Sequence, residues 1–182
     1  LYRQVLEIYA TSIDYDPRAS VSQEFFKKVQ NKIHYAIHGH TAAELIVERA
    51  DAEKDFMGLL TFKGNQPTLS EARTAKNYLD EKELRAMGQL VSGYLDFAER
   101  QAEREQPMTM NDWANYLDRI LTMSGEQLLL DSGKVSHTEA MEHATNEYRK
   151  YKQRTISDVE HDYLDSIKRI GNIGKKGDKN EN

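Results

Sequence analysis

The sequence predicts an all-α protein, a single helical-bundle-like domain of about six or seven helices with one irregular loop or short hairpin near residues 55–67. Three observations predict it. The 182 residues are 38% hydrophobic and 30% charged, with only 10 Gly and 3 Pro, so most segments can be helical and keep one face in water. Apolar residues recur at the three- and four-residue spacing of a helix along most of the chain. Capping pairs recur as well, in which a Ser, Thr or Asp accepts a bond from an early amide and an acid or amide three residues on reaches back. Thr41 with Glu44, Thr68 with Glu71, Asp80 with Glu83, Thr109 with Asp112, Ser124 with Gln127, and Ser136 with Glu139 each precede an apolar run and predict a helix start.

The first helix is expected from about Leu1 to Ile13, with Val5, Leu6 and Tyr9 on one side. DYDPRAS then forms a loop, because Pro17 disfavours a helical Asp16. The second helix carries Phe25, Val29, Ile33 and Ile37 at four-residue steps, and Gly39 can end it in a left-handed conformation. Thr41 starts a third, running to about Ala50 and burying Ala42, Leu45 and Ile46. The stretch DAEKDFMGLLTFKGNQP lacks helical period and reads as a loop, or as a loop with a short hairpin. The longest helix spans about Glu81 to Arg104, with Leu84, Met87, Val91, Tyr94 and Leu95 on its apolar face, and QPMT breaks it. Met110, Trp113, Leu117 and Leu121 define the next, and a short helix is expected after Ser124. After Ser136 the apolar line through Met141, Ala144, Tyr148 and Tyr151 changes phase before Ile156, Val159, Tyr163 and Ile167, which fits one long helix or two joined near Thr155. Residues 1–169 therefore form the domain, and the glycine-rich, charged residues 170–182 are expected to be a disordered tail.

The chain has no Cys, which excludes disulfides and thiolate metal sites, and no apolar run approaches the roughly 20 residues of a membrane span. A cytoplasmic protein without membrane partners is expected, and the helical opening LYRQVLEIYA reads as the start of a fragment of something longer. A net charge of -5 argues against a surface built to hold nucleic acid. Glycine-rich phosphate loops, a Gly-x-Ser-x-Gly elbow and a cysteine nucleophile are all absent from the sequence.

The densest group of chemically capable residues lies in KIHYAIHGHTAAELIVERAD. His34 and His38, four apart, share a side of the second helix with Lys27 and Asn31, opposite the apolar stripe, with Lys32 beside them, and His40 follows the Gly39 turn. Two imidazoles at that spacing can chelate zinc, but a metalloprotease-type motif needs Glu directly after the first His, and Tyr35 stands there. The histidines are read as lining a polar helix face and its corner, with no metal and no cofactor expected. Glu44 is read as the capping-box carboxylate. Arg49, Asp51 and Lys54 are expected to cluster at the end of the third helix, as an ion-pair network or as an anion site. Any function of the corner is expected to be anion recognition by Lys27, Lys32, His34 and His38 together with the helix start after Thr41.

FFKKVQNKIHYAIHGHTAAELIVERADAEKDFMGL, then TAKNYLDEKELRAMGQLVSGYLDFAERQA, then MTMNDWANYLDRIL resembles the C-terminal part of the RhuM family of virulence-associated bacterial proteins, over most of residues 1–165. The family's recurring motif matches at Gln30, Asn31, Lys32, Gly39, Thr41, Ala42, Ala43, Glu44, Arg49, Asp51, Met57 and Gly58. The resemblance implies a preceding DNA-binding module of winged-helix or phage-repressor type outside this segment, variable residues at His34 and His40, and no established activity. Two readings follow. The first is a helical interaction or effector domain that accompanies the DNA-binding module, by forming a homo-oligomer or sensing a ligand. The second is an enzyme acting on a nucleotide or nucleic acid through the polar corner at residues 31–54.

Overall fold

Five helices in this chain begin where a side chain satisfies one of their first free amides. In a computed structural model, which describes residues 2–177, Thr41, Thr68, Asp80 and Thr109 each accept a bond from the amide three residues on. The carboxylates of Glu44, Glu71, Glu83 and Asp112 accept the cap's own amide in return. Ser136 and Glu139 exchange the same two bonds, at 2.7 and 3.2 Å. These five caps open α3 (Ala42–Arg49), α4 (Leu69–Ala72), α5 (Glu81–Glu103), α6 (Met110–Met123) and α7 (His137–Gly177), preceded by α1 (Tyr2–Ala10) and α2 (Ser20–His38). Two 3-10 turns, Asp55–Gly58 and Ala75–Tyr78, lie in the connections, and no strand occurs among the described residues.

Two expectations are corrected, and two open alternatives are decided. The first helix stops at Ala10 rather than Ile13, with Ile13 70% exposed. The Ser124–Gln127 pair is a stop signal rather than a start. Gly125 takes φ 76 and donates to the Thr122 carbonyl, and the Glu126 amide reaches back to Leu121, so Ser124 closes α6. The irregular segment forms no hairpin; it is wound left-handed at Phe56, Met57 and Gly58, with φ of 50, 50 and 87. A Cβ on Gly58 would lie 2.3 Å from the Arg49 carbonyl oxygen, so glycine is required there on two grounds. Finally, the chain after Ser136 is one helix. It passes Thr155, whose hydroxyl donates to the Tyr151 carbonyl, and continues to Gly177, beyond the boundary expected at residue 169. The rest of the expected tail, 178–182, lies outside the described residues.

Helix α2 packs against α3, α5 and α6, while α7 lies along α3, α4 and the Asp55–Gly58 turn. Apolar residues at helical spacing meet in the middle: Val29 and Ile33 from α2, Leu45 and Ile46 from α3, Met87 and Val91 from α5, Leu117 and Leu121 from α6, all buried. Tyr94 and Trp113 are core residues, as their spacing predicts. The Tyr94 hydroxyl donates to the Trp113 carbonyl at 2.8 Å, so its contact with Tyr9 at 2.9 Å is one in which Tyr9 donates. That chain ties α1 to α5 and α6 without leaving a buried hydroxyl unpaired. The small residues Ala140 and Ala144 and the larger Tyr151, all on one side of α7, let its first half lie close to the body. Among the described residues no helix is long and apolar enough to cross a membrane.

Candidate functional site

Gly39, in the left-handed conformation with φ 76, sends the chain from the end of α2 into the capped start of α3. The corner is therefore a helix, a glycine turn and a capped helix. His34 is not on a solvated face: it is 2% exposed, at the edge of the buried stripe that carries Val29 and Ile33. Its Nδ1 lies 2.9 Å from Nε2 of His38, so one N–H is shared between the two rings. Nδ1 of the half-buried His38 is enclosed without a hydrogen-bond partner. His40 stacks on His38, with Nδ1 2.9 Å from the His38 carbonyl and Nε2 3.4 Å from Glu48.

Burial pushes the His34 imidazole down to about 3, and His38 beside it pushes the same way. Burial likewise takes His38 down to about 4, Arg49 and His40 adding to the effect while Glu83 and Glu48 oppose it. Both rings are therefore neutral near neutral pH, and neither offers a positive charge to an anion. Among the described residues no group of three or more His, Asp or Glu is arranged to hold a metal ion.

The other expected site residues turn to different partners. Lys32 points to α6, where Nζ lies 2.6 Å from both oxygens of Asp118. Asn31 accepts the Ala42 amide at 3.3 Å. Arg49 does not join Asp51 and Lys54 in an ion-pair network. Its guanidinium makes two parallel bonds to Glu83 at 2.7 and 2.6 Å and a third to the Tyr78 carbonyl at 2.9 Å. The Arg49 fork holds the Glu83 carboxyl down to about 2 against the opposing effect of burial. The cause is topological: the first turn of α5 arrives beside the last turn of α3, which the linear order of residues does not reveal. Asp51 instead accepts the Glu53 amide at 3.0 Å within its own loop.

Two groups of residues that sequence reasoning missed complete the corner. Gly133, with φ 84, brings the 131–136 loop so close that a Cβ would lie 2.6 Å from Thr41 Cγ2. The next amide, of Lys134, donates to Glu44 at 2.6 Å. Glu44 thus combines its capping bond to the Thr41 amide at 2.8 Å with a tether on the loop. Burial alone would raise that carboxyl, but the Lys134 and Thr41 bonds outweigh it and hold it below its ordinary value. From α7, His143 meets the Ala50 carbonyl at 2.9 Å, Glu147 accepts the Ala52 amide at 2.8 Å, and Arg154 donates to the Glu53 carbonyl at 2.9 Å. Their spacing of four and seven placed them on one helical face, but nothing in the sequence marked the 50–54 loop as its target. Beside the corner, a cleft of about 610 Å³ opens between α2, the starts of α3 and α7, and the 131–136 loop. Lys27, Asn31, Thr41, Lys134 and His137 line it.

Fold and corner together define an all-α domain in which polar residues of the corner cross-link α2, α3, α5, α7 and two loops. The chain belongs to the virulence protein RhuM family, whose family description matches residues 1–159. Comparison with curated proteins and with solved structures gives no match.

Proposed function

We propose that this chain is a helical interaction domain of an effector protein, which holds a partner rather than turning over a substrate, and that any DNA contact belongs to a separate module. The observation that carries this reading is the second half of α7. There Tyr163, Leu164 and Ile167 stand 65, 51 and 48% exposed. Large apolar residues exposed together on a helix mark an interaction surface. The polar corner supports the same reading, because Arg49, Lys32 and Glu44 are bonded within the protein rather than converging on a concave site. A net charge of -5 supports placing phosphate-backbone recognition elsewhere.

The rival reading, an enzyme acting on a nucleotide or nucleic acid, draws on the cleft in which Lys27 and Lys134 stand beside the starts of α3 and α7. Amides at helix starts and ammonium groups suit an anion. Thermal melting with millimolar nucleoside triphosphates or inorganic phosphate separates the two. The interaction reading expects an unmoved Tm. A rise in Tm that the double variant Lys27→Ala, Lys134→Ala abolishes would move the function into the cleft and overturn that reading.

A further inference from the structure

We infer that the protein binds a small uncharged molecule, an apolar body with one hydrogen-bond acceptor such as a ketone, in a cavity between α1, α5 and α6 that Trp113 lines. The cavity shares no residue with the cleft beside Lys27 or with the exposed stretch of α7, so the inference stands independently of the reading above. Its construction follows from side-chain size. Tyr9 and Tyr94, hydroxyl to hydroxyl at 2.9 Å, set the separation of α1 from α5. One and two turns further along α5, Ala98 and Ala102 are too short to fill the gap, and a cavity of about 350 Å³ remains. The connection after α5 supplies another wall. Glu105 turns the chain at φ 53, and the Gln106 amide donates to the Gln101 carbonyl at 3.2 Å. The Ile13 amide donates to the Met108 carbonyl at 3.0 Å, which ties that wall to the end of α1.

Burial separates the floor of the cavity from its rim. Ile8 and Trp113 are 5 and 3% exposed, with Leu95, Ala98 and Met108 half-buried, whereas Glu7 and Glu99 stand exposed. The Trp113 indole is held between Tyr94 and Phe97, each 6.1 Å away and nearly perpendicular to it. Its Nε1–H is enclosed without a hydrogen-bond partner. Buried donors are ordinarily paired, and an indole N–H can only donate, so what answers it is an acceptor. A water suits the place poorly. It needs about two to four polar partners, and the buried walls offered by Ile8, Leu95, Ala98 and Met108 are apolar. A carbonyl on an apolar body satisfies the donor and the walls together. The rim selects the charge: Glu7 and Glu99 are carboxylates, and none of the described lining residues is basic. Arg3, 3.5 Å from Glu7, offsets one of the two. An anion such as a fatty acid is therefore disfavoured against a neutral molecule.

Trp113 is the one tryptophan in the chain, so a proton–nitrogen correlation NMR spectrum of the full chain holds a single indole signal that reports on the cavity. Millimolar acetophenone should shift that signal saturably. Ethylbenzene, a similar skeleton without the carbonyl, should bind about fivefold more weakly, the effect of one hydrogen bond. Benzoate, the same ring with a negative charge, should leave the signal in place. Ala98→Leu extends a side chain into the cavity and should abolish the acetophenone shift with a Tm at or above that of the wild type, since a filled void adds contacts. Where Ala98→Leu lowers the Tm, Ala102→Leu at the exposed rim is the variant read instead. An indole signal that acetophenone does not move overturns the site. Equal affinity for ethylbenzene and acetophenone overturns the role of the Nε1–H, and benzoate binding as tight as acetophenone's overturns the neutral class of ligand. Saturable binding that persists in a folded, filled variant places the ligand elsewhere and overturns the assignment to this cavity. The interaction reading is untouched by each of these results, because it falls to nucleotide or phosphate binding in the other cleft.

Discussion

Acidification from about pH 7 to about pH 5 is expected to remove about 3 kcal/mol of folding stability through the His34–His38 pair alone. An unfolded histidine titrates near 6.5, so over that interval the unfolded chain takes up a proton that a folded ring held far below that value refuses, which amounts to about 2 kcal/mol for one ring. His34, 2% exposed and held down to about 3, contributes nearly all of this. His38, held down to about 4, is only half-buried and contributes about half as much, because water reaches part of its ring. The shared N–H adds a geometric reason, since protonating both rings would set two N–H groups against each other across 2.9 Å. The folded pKa values are depressed, so this stability is complete above about pH 6.5, declines as pH falls, and is gone below about pH 4 to 3. Carboxylates such as Glu83 and Glu44, also held low, act mainly below about pH 5 and leave the interval to the histidines. Urea denaturation followed by circular dichroism at several pH values gives the slope. The double variant His34→Asn, His38→Asn should show a much flatter dependence whatever its absolute stability. Equal losses in wild type and variant would refute the assignment.

Breaking the Arg49–Glu83 fork is expected to cost about 2 kcal/mol for Arg49→Ala, because Glu83 and the Tyr78 carbonyl both lose a partner; a double-mutant cycle with Glu83→Ala should show coupling above about 1 kcal/mol, and additivity would contradict the geometry. Gly58→Ala should destabilise the fold by more than Gly64→Ala, since both glycines have positive φ but only the Gly58 Cβ would meet a carbonyl at 2.3 Å; thermal melts showing equal losses would put the tight loop in doubt. Thr41→Ala should lower stability by about 1 to 2 kcal/mol in chemical denaturation, since Thr41 is fully buried and caps α3. The chain alone should bind duplex DNA weakly and without sequence preference, as its charge of -5 implies; tight specific binding at physiological salt in a mobility-shift assay would place DNA recognition within this domain.

Local chemistry in the sequence determined the helical class, five of the six capping pairs, the Gly39 corner and the core stripes of α2, α5 and α6. Each of these depends on residues within about one or two turns of one another, so the information needed is contiguous. TMSGEQ misled for a local reason as well, since a Ser that can start a helix stands next to a Gly that can stop one, and the left-handed Gly125 prevailed. Tertiary structure alone decided which polar residues meet. It carried Lys32 to Asp118, 86 positions away, and Arg49 to Glu83, 34 away, and it buried His34 beside the apolar stripe of α2. It also made one uninterrupted helix of α7. A periodic pattern fixes which face of a helix is apolar; what covers that face, and which distant charge answers a polar residue beside it, follows from how the helices cross, and the crossing is a property of the packed whole.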